Sequence, residues 1–156
     1  GKDDPERLTT WFKTNPDAVL VALKTFWEGV DIPGLGLRLV VIPRIPFPNK
    51  GDVLLQARKN VYIQRKVEMG EDMERSSMDA WSKFDLNEAL LDLAQGGGRL
   101  IRTEADLGVV ALLDRRAQGK MKQYSGRIRK AFPHPLCETK PQVLNFLATL
   151  KKAVLP

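Results

Sequence analysis

Val109-Val110-Ala111-Leu112-Leu113 is an apolar run that no polar residue interrupts. A strand with one wet face alternates apolar and polar side chains, so an unbroken run asks for cover on both faces, as in a parallel sheet flanked by helices. Two more runs read as strands, Ala18 to Leu23 (AVLVAL) and Leu37 to Ile42 (LRLVVI). Elsewhere the apolar spacing turns helical. Val53, Leu54, Ala57 and Val61 form one stripe, Leu86, Ala89, Leu90 and Leu93 a second, and Val143, Leu147, Leu150 and Val154 a third. Thr139 and Pro141, ahead of the third, suit a helix cap and first turn. The pattern predicts an α/β fold with a parallel sheet in one domain over 1–156. The acidic stretch Lys66 to Asp79 (KVEMGEDMERSSMD) reads as a mobile loop between helices.

Length and composition agree with that class. A chain of 156 residues is one domain's worth, and 43% hydrophobic residues suffice for a core, which excludes a disordered tail or a fibre. No apolar run is long enough to span a bilayer, and GKDDPERLTT at the N-terminus is charged where a secretory signal is apolar. A soluble intracellular protein is expected, with no membrane partner. Cys137 and His134 are the 1 cysteine and 1 histidine of the chain, so no internal disulfide, Cys/His zinc site or iron–sulfur cluster can be held by this chain alone.

The positive charge is local. Between Arg115 and Lys130 (RRAQGKMKQYSGRIRK), Arg115, Arg116, Lys120, Lys122, Arg127, Arg129 and Lys130 occur with no acid, which accounts for more than the whole net charge of +6. With Tyr124 among them, these cations suit a nucleic-acid backbone. A solvated basic helix face is the plainer alternative.

Two stretches carry more than packing. Thr25 to Gly34 (TFWEGVDIPG) leaves the end of the first expected strand, where open α/β sheets bind ligands. Glu28 and Asp31 are hydrogen-bond acceptors there, and Gly29 admits a close backbone approach. Alternatively Phe26 and Trp27 plug the core while Glu28 and Asp31 cap a short helix. The second stretch is Gln95 to Arg102 (QGGGRLIR). If a helix runs through it, Gln95, Arg99 and Arg102 share one face and present an amide and two guanidinium groups, the chemistry that grips a transferring phosphoryl group. If the glycines stop the helix, Arg99 to Arg102 belong to a loop.

FWEGVD, the strand LVVI with PFP at Pro46 to Pro48, QGGGRLIR and DLGVVALLDRR, in that order, resemble the C-terminal motor domain of XPD/DinG-like superfamily 2 DNA helicases over roughly residues 16–135. FWEGVD resembles motif V of that family and QGGGRLIR motif VI. The resemblance implies a RecA-like, P-loop-NTPase-like helicase C-terminal domain, part of an ATP-driven translocase that moves 5′ to 3′ on single-stranded DNA. It places Glu28, Gly29, Asp31 and Gly98 at the nucleotide, with Glu28 coupling the motifs. Gln95 would contact the nucleotide, and Arg99 and Arg102 would be arginine fingers on phosphates held by the other RecA-like domain. Thr25 would face the DNA backbone. Arg116 matches the family's arginine after the strand; it joins Arg127, Arg129 and Lys130 as a DNA-binding candidate or is tied to Asp114. Thr25 and Arg44, near the strand ends, are the other track for DNA.

Departures from the family pattern also carry expectations. No G-x-x-x-x-G-K-[ST] loop and no D-E-x-H box occur, so ATP and Mg2+ would be held by a missing N-terminal RecA-like domain, and no metal by this chain. The strands before motif V are missing as well, so the domain reads as truncated at its N-terminal side and, with a strand edge uncovered, as prone to self-association. An iron–sulfur cluster of the whole protein would lie in the other half. Cytoplasmic, nucleoid-associated placement is expected in a bacterium and nuclear placement in a eukaryote. A catalytically inactive relative that binds DNA or a protein partner is the alternative reading.

Overall fold

The computed structural model describes residues 4–15, 17–24, 26, 32, 36–100, 106–117, 122–132, 135–137 and 139–154, with the backbone alone at 122–124 and 150–154. The chain divides into two compact units, one made of 1–44 with 94–156 and the other of 45–93.

In the first unit, helix α1 (Pro5–Thr14) starts where Asp4 accepts from the Glu6 N–H at 3.2 Å and Pro5 supplies a preset first turn; it buries Phe12. Strand β1 (Leu39–Ile42) pairs in parallel with β2 (Val109–Leu112), Leu39 opposite Val109 and Ile42 opposite Leu112. The ladder extends at both ends, through Val109 N–H to Arg38 O at 2.9 Å and Leu113 N–H to Ile42 O at 3.0 Å. The expected parallel pairing is therefore present. The expected cover on both faces is not: Ile42 is buried, but Leu39 and Val41 are about half exposed.

Ala18 to Leu23 is not a strand. Among the described residues nothing pairs with it, and Val19, Val21 and Leu23 stand 80–91% exposed. Apolar, β-prone side chains make a strand only where a neighbour takes up the backbone hydrogen bonds, and without one the run stays irregular.

Two helices complete this unit. Helix α5 (Lys122–Ala131) buries Ile128, and α6 (Lys140–Val154) starts at a reciprocal cap in which Thr139 N–H donates to Gln142 Oε1 at 3.1 Å and Gln142 N–H to Thr139 Oγ1 at 3.5 Å. The cap expected at Thr139 is present, and Val143 and Leu147 are half-buried.

The second unit is helical. Helix α2 (Val53–Glu68) begins at Asp52, which accepts from Leu54 N–H at 2.9 Å and Leu55 N–H at 3.0 Å. The stripe read from the sequence is on the wrong side: Val53 and Leu54 are more than 70% exposed, while Leu55, Lys59 and Tyr62 turn inward. Tyr62 meets Phe84 edge to face at 5.6 Å, and Lys59 Nζ lies 2.6 Å from Asp85 Oδ2. An aromatic pair and a buried ion pair orient this helix, and an apolar count cannot see either.

Residues 66–79 are not a loop. Helix α2 runs to Glu68, Gly70 takes a φ of 88° that suits glycine, and helix α3 (Met73–Ala80) begins at once. Asp72 caps it through Arg75 N–H at 3.0 Å, and Lys66 closes the turn on Glu71 at 2.5 Å. That hydrogen bond from Lys66 to Glu71 raises the lysine pKa above its ordinary value, so the lysine keeps its charge through neutral pH and its side of this support is lost as pH rises through that raised pKa. Acidic residues here are caps and partners, which a reading by charge alone takes for solvent exposure.

From α3 the chain continues through a π-helical turn (Trp81–Leu86) into α4 (Asn87–Gly98). The wider turn places consecutive residues, Asp85 and Leu86, both in buried positions. Leu86, Ala89 and Leu93 are buried as the sequence spacing requires.

Candidate nucleotide and nucleic-acid site

The last turn of α4 belongs to the first unit and carries the glycine run. All three glycines are helical, although each costs about 1 kcal/mol against alanine in a helix interior. Gly97 has a packing reason. A Cβ there would run into Phe132, the residue that follows α5, lying 3.0 Å from its Cδ1 and 3.5 Å from its Cζ. At Gly98 a Cβ would meet nothing within 4 Å.

The helix stops at Gly98. Arg99 N–H reaches Gly96 O at 3.4 Å and Leu100 N–H reaches Gly97 O at 3.0 Å, the tighter bonding of a closing turn. Gln95 is exposed on the final helical turn, and Arg99 is half-buried one residue past its end. The helix that would have to carry Gln95 and Arg99 on one face thus ends before Arg99, where consecutive glycines lower helical stability. Arg102 lies outside the described residues, as do Thr25, Glu28, Gly29 and Asp31. Of their described neighbours, Phe26 N–H donates to Leu23 O at 2.9 Å, and Ile32 is buried.

After β2, Asp114 is buried and holds Arg116 at several points. Arg116 Nε donates to Oδ1 at 3.0 Å and Oδ2 at 3.2 Å, Nη2 to Oδ2 at 2.6 Å, and the Arg116 backbone N–H to Oδ1 at 2.9 Å. This charge-assisted fork is what D-x-R spacing can make, and it ties Arg116 to the fold whatever else it touches. Arg116→Ala is expected to destabilise the domain by about 1–3 kcal/mol, since it strips a buried carboxylate of its guanidinium. Lys130→Ala, at an exposed position on α5, should stay within about 0.5 kcal/mol. Urea unfolding of the two variants checks the contrast.

On α5, Ile128 faces in, Arg127 is half-buried, and Arg129 and Lys130 are exposed in the last turn, where cations also favour the helix dipole. Arg44 is exposed just after β1. Among the described residues no three His, Cys, Asp or Glu side chains converge as a metal site would need, and no helix is long and apolar enough to cross a membrane.

The contact of Phe132 with Gly97 was missed by sequence reasoning. The glycine run signalled that something comes close, but nothing local to it points to a ring just past the end of another helix.

Residues 1–135 match the helicase C-terminal domain family. The chain belongs to that family. The helicase C-terminal domain is 35% identical over 134 residues to the ATP-dependent DNA helicase YoaA of Haemophilus influenzae, covering 86% of this chain and 19% of that protein. Against YoaA of Escherichia coli it is 34% identical over 149 residues, covering 95% and 21%. Against the ATP-dependent helicase DinG of Mycobacterium tuberculosis it is 38% identical over 116 residues, covering 74% and 16%. The chain thus spans about a fifth of the length of these relatives. No solved structure matches it.

Proposed function

We propose that this helicase C-terminal domain is the second RecA-like half of an ATP-dependent DNA motor that moves 5′ to 3′ along single-stranded DNA. The observation that carries the reading is the family match over residues 1–135, within which Arg99 stands on a tightly closed turn at the end of a glycine-rich helix. A permanent, forked cation on a fixed turn suits a phosphoryl group whose charge spreads in the transition state.

ATP and Mg2+ would be held by the other RecA-like domain, where the ion would neutralise part of the phosphoryl charge. This chain's residues do the rest. Arg99 and Arg102 reach the phosphates as arginine fingers, and Gln95 contacts the nucleotide. Gly29, Asp31 and Gly98 line its approach, with Glu28 coupling that loop to the fingers. Thr25, Arg44, Arg127, Arg129 and Lys130 track the DNA backbone, and Arg116 adds its charge from its seat on Asp114. Release of the γ-phosphate removes what Arg99 and Arg102 hold, which lets the cleft reopen and advances the strand.

The test is unwinding by the complete protein that carries this domain. A duplex with a 5′ single-stranded tail should be unwound with ATP, and a duplex with only a 3′ tail should not. Unwinding from the 3′ tail, or none from either, overturns the reading.

Two further results are expected. The chain by itself should release no phosphate from ATP above background, because fingers accelerate only a site that already holds the nucleotide; DNA-stimulated release from the pure chain would contradict this. Changing Arg127, Arg129 and Lys130 together to glutamine should flatten the salt dependence of single-stranded DNA binding by about 0.7 in log–log slope per contacted phosphate. An unchanged slope moves the track to Thr25 and Arg44.

A further inference from the structure

The turn that carries Arg99 is seated from two sides by residues remote in sequence. On one side the Phe132 ring occupies the place a side chain at Gly97 would take. Phe132 is itself held at the end of α5, its N–H donating to Ile128 O at 3.2 Å. On the other side Leu100, 3% exposed, covers Gly108: a Cβ there would lie 2.6 Å from Leu100 Cδ1 and 2.8 Å from both Leu100 Cδ2 and Arg38 O. Gly108 immediately precedes β2, so Leu100 rests where the sheet begins. Arg99 stands between these anchors, two residues after Gly97 and next to Leu100, each in close contact with a residue outside the turn.

We infer that Phe132 is a positioning residue for Arg99, acting through Gly97, with the Leu100–Gly108 contact as the second anchor of the same turn. The inference rests on the reading of Arg99 as an arginine finger. Its consequence is that the end of the basic helix α5 and the finger turn share one packed contact, so a shift of α5 is transmitted to Arg99 through the ring.

The experiment compares Arg99→Ala, Phe132→Leu, Gly97→Ala and the double variant Gly97→Ala with Phe132→Leu in the complete protein, reading DNA-stimulated kcat, KM for ATP and the urea midpoint. Phe132→Leu and Gly97→Ala should each lower kcat by about 10- to 100-fold, the scale of a misplacement near 1 Å, with KM for ATP unchanged and the protein fully folded under assay conditions. Leucine lacks the ring edge that a Cβ at residue 97 would strike, so the double variant should recover much of the activity lost in Gly97→Ala. Adding Phe132→Leu to Arg99→Ala should cost nothing further. Full activity in both Phe132→Leu and Gly97→Ala, beside an inactive Arg99→Ala, overturns the positioning role and leaves the finger intact. Losses of kcat that merely follow the unfolded fraction also overturn it. Hydrolysis retained by Arg99→Ala removes the finger, and the inference with it.

Discussion

Arg99→Ala or Arg102→Ala, made in the complete protein, should lower DNA-stimulated ATP hydrolysis by about 10³- to 10⁵-fold while single-stranded DNA binding stays nearly unchanged. The asymmetry follows from when the guanidinium is needed. Charge builds on the phosphoryl oxygens only as the bond to the leaving group loosens, so a finger stabilises the transition state more than bound ATP or DNA. Lysine should not restore activity, because a point charge cannot fork to two oxygens from one fixed turn. Hydrolysis retained in both alanine variants, measured by phosphate release at saturating DNA, would leave these arginines a structural role.

The largest stability effect is expected at Lys59. Its ammonium lies 2.6 Å from Asp85 Oδ2, with side-chain exposures of 15% and 9%, and among the described residues no hydrogen bond otherwise serves that oxygen. Lys59→Met should cost about 3–5 kcal/mol, since it leaves a carboxylate buried and unpaired. That is a large part of the roughly 5–15 kcal/mol that holds a domain together. Lys59→Met combined with Asp85→Leu should regain most of the loss, because the pair offsets its own desolvation and contributes little beyond it. Urea or thermal unfolding of the single and double variants decides the matter. A single variant as stable as the parent would mean that water reaches Asp85.

Local signals located several elements. Two of the three apolar runs are the paired strands, and the spacing of Leu86, Ala89 and Leu93 predicts a buried helix face that is present. The Thr139–Gln142 cap needed only the residues it contains. The misreadings share a cause. AVLVAL has strand composition but, among the described residues, no neighbour to pair with, the face of α2 is chosen by Tyr62 and Lys59 against Phe84 and Asp85, and the acids of 66–79 serve as caps and partners.

The candidate site was legible as chemistry and not as geometry. Motif order alone identified the helicase C-terminal domain, since side-chain chemistry at fixed spacing is written into the chain. Arg99 was singled out by its guanidinium, but its place on a turn beyond Gly98 depends on where the helix stops.

The sequence by itself determined the α/β class, a parallel sheet, the helix start at Thr139 and the family, because each depends on residue type at short range or on an ordered set of motifs. Tertiary structure alone decided which side of α2 is buried and why Gly97 must be a glycine. Those outcomes depend on atoms far apart in the chain competing for the same few ångströms, and steric exclusion of that kind has no local signature.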